Sequence, residues 1–245
     1  QEAIYSDETG WRVGGRPAWL WVFSSSDIAI YTIDPTRAHE VIERILTRDF
    51  GGVLKCDCFA AYDHGALENI TQSKCLGHLI RRCADLQEEK SGRAVVFSRE
   101  VAALLRAALS LKEREAGLSA HGYGVARGRL EARLDRLLEG NYSDPDNAHL
   151  AKLLRTHRHQ LFNFLAVSGC DATNNAAERA IRPAVIIRKT NGCNRTLKGA
   201  RTHEVIVSVL TTCRKQSRNF IAYVATLLRC PQPAVLDFAV AGASP

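Results

Sequence analysis

GGVLKCDC, residues 51–58, is the stretch on which the fold turns. The glycine pair restarts the chain after a helical segment. Val53-Leu54-Lys55-Cys56 then reads as a short buried strand that delivers Asp57 at its end. Upstream, Ala3 to Ser6 is a short apolar entry followed by Asp7, and Gly14-Gly15 supplies a turn after Gly10-Trp11. AWLWVFS (18–24) and IAIYTI (28–33) are aromatic and β-branched and are joined by Ser-Ser-Asp, as in a hairpin. Pro35-Thr36 opens a helix whose apolar positions Ala38, Val41, Ile42 and Ile45 follow helical spacing.

Downstream the character changes after Ser73-Lys74-Cys75-Leu76, and from about Gly77 to Leu165 the pattern is helical. Val101, Leu104, Leu105 and Ala108 make one apolar stripe, and Leu130, Leu134, Leu137 and Leu138 another. NYSDPDN (141–147) is the clearest internal break. A new helix starts around Asp171-Ala172-Thr173, capped by Asp171 or Thr173, and carries Glu178 towards Lys189. Pro183 within it predicts a kink or junction. Residues 191–199 read as a loop, Ala200 to Lys215 as a helix and Phe220 to Leu228 as a last one. The expected class is α/β, with a core built from 1–76 and 171–245 around a helical insertion at 77–170.

Composition excludes several classes. The 245 residues are 46% hydrophobic and 24% charged, ordinary for a globular chain. No apolar run approaches the roughly 20 residues a membrane helix needs, so no membrane partner is expected. Gln1-Glu2 carries no export signal, and with no Met in the chain Gln1 reads as a cut end. The eight cysteines are scattered, which suits reduced thiols in a cytoplasmic protein. The net charge of +7 is concentrated: between Asn174 and Arg218 ten Arg and Lys face only Glu178 and Glu204. That segment holds +8 and the rest of the chain −1. A basic segment of this density suits a polyanion, because neutralised phosphates release condensed counterions; a solvated basic helix face is the alternative.

The element order can gather three acids from distant parts of the chain: Asp7 after the first strand, Asp57 after the strand at 53–56, and Glu178 on the late helix, 121 residues beyond Asp57. Phosphodiester chemistry uses two hard cations about 4 Å apart, held by carboxylates. The triple competes with a surface ion pair between Glu178 and Arg182, four residues apart. Glu8 should point away from Asp7 on an extended chain, and Asp63 is a weaker candidate than Asp57. Trp11 is read as core packing, with stacking on a displaced base as the alternative. Cys75-x-x-His78 has the form of half a zinc site, but no second pair stands at the required spacing. Cys56 and Cys58, either side of Asp57, are read as packing residues.

SDETGWRVGGRPAWLWVF, GGVLKCDCFAAYD, CLGHLIRR and DATNNAAERAIRPAVIIRKT, in this order, resemble the catalytic part of transposases of the insertion-sequence 66 family. The resemblance covers nearly the whole chain and implies a ribonuclease H-like mixed sheet with flanking helices and an all-helical insertion before the last catalytic acid. It places an acidic (DDE) triad on Asp7, Asp57 and Glu178, holding Mg2+ or Mn2+, two ions in all. It further implies cleavage at a transposon end, attack of the freed 3′ hydroxyl on target DNA, and a homo-oligomer during synapsis. Double-stranded DNA, both transposon ends and target, is the expected partner, in a bacterial, nucleoid-associated setting. Asn175, Arg179, Arg182, Arg188, Lys189, Arg195, Lys198 and Arg201 are the expected DNA contacts. Two alternatives stand beside this reading: a catalytically inactive DNA-binding remnant, and a related nuclease that never joins strands. Full-length relatives are expected to be longer at the N-terminus.

Overall fold

A computed structural model describes residues 3–47 and 50–230. Five strands form one mixed sheet: β1 Ala3–Val13, β2 Arg16–Ser24, β3 Ala29–Asp34, β4 Val53–Cys56 and β5 Thr71–Lys74. Their spatial order is β3-β2-β1-β4-β5. β1, β2 and β3 pair antiparallel through short turns, whereas β4 lies parallel to β1 and β5 parallel to β4. The β1–β2 turn is made at Gly14 and Gly15, both at positive φ, a conformation costly for residues with a Cβ.

Eight helices accompany the sheet: α1 His39–Ile45, α2 Leu76–Glu89, α3 Val96–Glu113, α4 Ala120–Glu139, α5 Pro145–Thr156, α6 Asn175–Asn191, α7 Leu197–Lys215 and α8 Phe220–Arg229. Strand alternation divides the core into two. Tyr5, Trp11, Leu20, Val22, Tyr31 and Val53 face the larger core, with α2 to α6. Trp21, Phe23, Leu54 and Cys56 face the smaller one, with Val41 and Ile42 of α1 and with Tyr62. The stripe Val101, Leu104, Leu105 and Ala108 is fully buried, as its spacing predicts.

Several boundaries differ from the sequence reading, each for a local reason. β1 continues past Ser6 to Val13, because all of Tyr5 to Val13 pairs with β2; Asp7 therefore lies within a strand rather than after one. α1 begins at His39 because the Asp34 carboxylate accepts both the N–H and the hydroxyl of Thr36, which holds Pro35-Thr36 in a turn. β5 carries no apolar alternation and is stabilised by buried polar pairs instead. Gln72 donates to the Tyr62 carbonyl, Ser73 accepts from Lys55, and Lys74 donates to Asp63 at 2.8 Å. α6 is capped neither by Asp171 nor by Thr173: Asn174 occupies the N-cap. The helix runs through Pro183, which lies on its exposed face. α7 starts at Leu197, three residues early, because the Thr196 hydroxyl caps it by accepting from Gly199 N.

The outer edge of β3 is closed by a helix. Glu204, Ser208 and Thr212 of α7 accept the backbone N–H groups of Ile33, Tyr31 and Ala29. Four residues of helix rise about 6 Å and two residues of strand about 6.6 Å, so the two repeats stay in step. Unpaired strand edges otherwise template aggregation. The Thr212 hydroxyl also donates to the Ala29 carbonyl and is 3% exposed. Thr212→Val should leave both groups of Ala29 unpaired and lower stability by about 1–3 kcal/mol. A denaturant midpoint unchanged from the parent would refute this role for α7.

Candidate active site

The sheet register brings two acids together. Tyr5 pairs with Lys55 across the parallel β1–β4 ladder, and two residues further along stand Asp7, within β1, and Asp57, directly after the end of β4. By the two-residue alternation both belong to the face that carries Tyr5 and Val53, the face covered by α6. α6 turns Ala177, Ile181 and Ala184 into that core, and Glu178 lies beside them over the strands. The charges of Asp57 and Glu178 both act on Asp7. Asp57 and Glu178 thus lie near enough to Asp7 for their charges to reach it. The ion pair expected as the alternative for Glu178 does not form among the described residues; its neighbour is His78, with Nε2 3.6 Å from Oε1.

Asp7 sits in a strongly perturbing environment. Burial first, then the charges of Glu8, Asp57 and Glu178, push its carboxyl up to about 7. A carboxyl in this state gains most from a cation that removes the repulsion. Asp57 remains partly exposed, and its Oδ1 accepts the Phe59 N–H at 2.9 Å. Carboxylate oxygens from two strands and one helix are a donor set that hard divalent cations prefer.

The neighbouring acids fall where alternation puts them. Glu8 points to the opposite face, where it accepts from Arg37 at 2.6 Å and from the Tyr62 hydroxyl at 2.9 Å. Asp63 is held by Lys74 at 2.8 Å, with His157 at 3.6 Å. Trp11 is a core residue, 3% exposed, whose indole N–H donates to Asn194 Oδ1. Cys56 is fully buried and Cys58 partly so, as packing residues would be.

Beside the acids stands a group that sequence spacing left incomplete. Cys75 caps α2 and His78 lies in its first turn. Their side chains meet Glu178, which arrives from α6. Burial pushes the Cys75 thiol up, but the His78 ring beside it brings it below its ordinary value overall. The same contact with Cys75 is the main cause that raises His78 to about 9.

Of the expected DNA contacts, Asn175, Arg179, Arg182, Lys189, Arg195, Lys198 and Arg201 are exposed. Arg188 is not free: its Nη1 donates to the Thr9 hydroxyl at 2.9 Å and to the Gly10 carbonyl at 2.5 Å, which pins α6 to β1. Arg179 lies at the other end of α6, beside Lys215, Tyr5 and Asp171. The β1–β2 hairpin adds two arginines that reading the late segment alone missed. Arg12 lines a concavity with Arg188 and Arg195, and Arg16 another with Arg195 and Arg201. Their only sequence signal was proximity to the Gly14-Gly15 turn, which did not reveal that α7 packs nearby.

Asp7, Asp57 and Glu178 thus lie in a mixed α/β domain whose α6, α7 and β1–β2 hairpin carry exposed arginines. The sequence profile of the IS66 transposase family matches residues 1–202, and the chain belongs to that family. It is similar to the uncharacterized proteins y4qI and y4jD of Sinorhizobium fredii. The first is 26% identical over 94% of this chain and 48% of its own length, the second 24% over 91% and 44%. The chain therefore spans about half the length of these curated relatives. No helix among the described residues is long and apolar enough to cross a membrane.

The elevated Asp7 value carries a pH signature. Its folded-state value, about 7, exceeds the ordinary 3.8, so the protonated carboxyl favours the fold. That contribution is complete below about pH 4 and is lost as pH rises through about 7. In metal-free buffer Asp7→Asn should stabilise the protein, with a gain that grows between about pH 4 and 7 and then levels off. Every tenfold change in proton affinity corresponds to ~1.4 kcal/mol, so the plateau should reach a few kcal/mol at most. A gain in Tm that is the same at both ends of this range would contradict the assignment.

Proposed function

We propose that this chain is the catalytic part of a DNA transposase, with Asp7, Asp57 and Glu178 as its acidic triad. The observation that carries the reading is the convergence of these acids on one sheet face, two from adjacent parallel strands and one from α6. The strand order β3-β2-β1-β4-β5, antiparallel on one side of β1 and parallel on the other, supports a ribonuclease H-like fold. In that fold α2 to α5 constitute the helical insertion at 77–170, between core segments that the described residues carry up to 76 and from 171 to 230; the part of the expected second segment beyond 230 lies outside the described residues.

The three carboxylates fit magnesium or manganese, since they offer hard oxygen donors and a cluster of charge that needs neutralising. When bound, two such ions would supply electrostatic stabilisation of the attacking and leaving oxygens. The protein's own part is position: Asp7 lies in β1 and Asp57 directly follows β4, two residues beyond the Tyr5–Lys55 pair of the β1–β4 ladder, and Arg188 locks α6 against β1. Arg182, Lys189, Arg195, Lys198 and Arg201, with Arg12 and Arg16, would take backbone phosphates of double-stranded DNA. The reaction is hydrolysis at a transposon end followed by transfer of the strand to target DNA. Holding two ends together requires more than one copy of the chain.

Asp57→Asn and Glu178→Gln should each reduce manganese-dependent cleavage of an end-bearing duplex by on the order of 100-fold or more, with DNA binding retained. Retained cleavage in either variant would remove the triad. Binding without cleavage in the parent would mark an inactive remnant, and cleavage without joined products a nuclease. Arg182→Ala and Arg195→Ala should each lower the slope of log affinity against log salt by about 1. An unaltered slope for both would place the DNA on another face.

A further inference from the structure

We propose that Cys75, His78 and Glu178 form a binding site for a thiophilic divalent cation, zinc above all, that shares Glu178 with the acid cluster. One ligand atom from each of the three residues lies within 4.8 Å of the other two. Two ligands come from a Cys-x-x-His spacing at the start of α2, and the third comes from α6, roughly a hundred residues later in the chain. This long-range partner is what the sequence spacing lacked.

A second observation points to a missing ligand. Nδ1 of His78 is buried and has no partner of hydrogen-bond geometry. Buried ring nitrogens are ordinarily satisfied by protein, water or metal. Cys75 is 1% exposed, and its sulfur accepts the Asn174 N–H at 3.2 Å, which fixes the thiol towards the α6 start. The side chains of His78 and Glu178 keep 37% and 34% of their exposure, so an ion can enter from solvent past them.

The donor set selects the ion. A thiolate, an imidazole and a carboxylate suit zinc, whereas magnesium takes oxygen ligands almost alone. Three protein ligands leave a fourth position for water. Because Cys75 is buried, the thiol is no candidate nucleophile for an external substrate, and ion binding is the use its neighbours support.

The functional consequence rests on the reading of Glu178 as a catalytic ligand. Zinc held here would draw the Glu178 carboxylate away from magnesium or manganese, so zinc and the catalytic ions would compete for one side chain. The site itself does not depend on that reading, and it can be tested without DNA.

Cobalt(II) titrated into the reduced chain should produce a thiolate-to-cobalt charge-transfer band in the near ultraviolet. The band should disappear in Cys75→Ser, and His78→Gln should weaken cobalt binding at least ~10-fold. Asp57→Asn, which leaves all three ligands in place, should retain the band. No band in the parent, or an undiminished band in Cys75→Ser, would overturn the proposal. Should Cys75→Ser fail to fold by circular dichroism, zinc-edge anomalous scattering from crystals of the parent decides instead. Density between Cys75, His78 and Glu178 supports the site, and zinc found only at other cysteines overturns it. Manganese binding in Cys75→Ser tests the triad separately, so the two readings can fail independently.

Discussion

The arrangement depends on one buried amide. Asn174 is fully buried, and its Nδ2 donates to the Ser6 carbonyl at 2.7 Å, one residue from Asp7. Its own N–H reaches the Cys75 sulfur at the start of α2, and its carbonyl accepts the Glu178 N–H at 3.1 Å. One residue thus ties β1, the end of β5 and the first turn of α6. Its Oδ1 is buried without a partner among the described residues, so it is the Nδ2, N–H and carbonyl bonds that leave Asn174 little alternative geometry. The side chain gives up the usual capping role to do this, which explains why α6 has no side-chain cap.

The surroundings of that junction are unusually polar for a sheet core. Lys55 is completely buried, donates to Ser73 and to the Lys74 carbonyl, and lies over the Phe164 ring. Burial lowers it to about 8. Lys74 is also buried and is paired with Asp63. These cations lie on β4 and β5, the strands that flank the acid-bearing end, and they connect the sheet to Phe164 of the 160s segment and to the turn after Asp57. Polar bonds with fixed partners specify register more sharply than apolar contacts do, and the register of β4 against β1 is what sets Asp57 opposite Asp7.

Charge is distributed in two layers. Asp7, Asp57 and Glu178 are partly buried, and burial with neighbouring charges raises Asp7, while the exposed arginines lie outside on α6, α7 and the hairpin. The same logic makes Arg188 a structural residue: its guanidinium is engaged by Thr9 and Gly10, holding the basic helix to the strand that carries Asp7.

Local chemistry determined much of this from the residues alone. Alternation in AWLWVFS and IAIYTI announced β2 and β3, the 3.6-residue stripes announced α3 and α4, and Gly14-Gly15 announced the turn. Asp7, Asp57 and Glu178 stand out in the sequence through their distinctive flanking segments, not through their spacing. Tertiary structure decided what lay beyond local periodicity. β5 has no apolar pattern because its stability comes from partners elsewhere, at Tyr62, Lys55 and Asp63. β1 extends through Asp7 only because β2 pairs along it. Glu178 joins Cys75 and His78 only because α6 folds back over the sheet after the whole helical segment has passed. Such contacts join residues about a hundred positions apart, and their geometry arises from packing and register rather than from any neighbour in the chain.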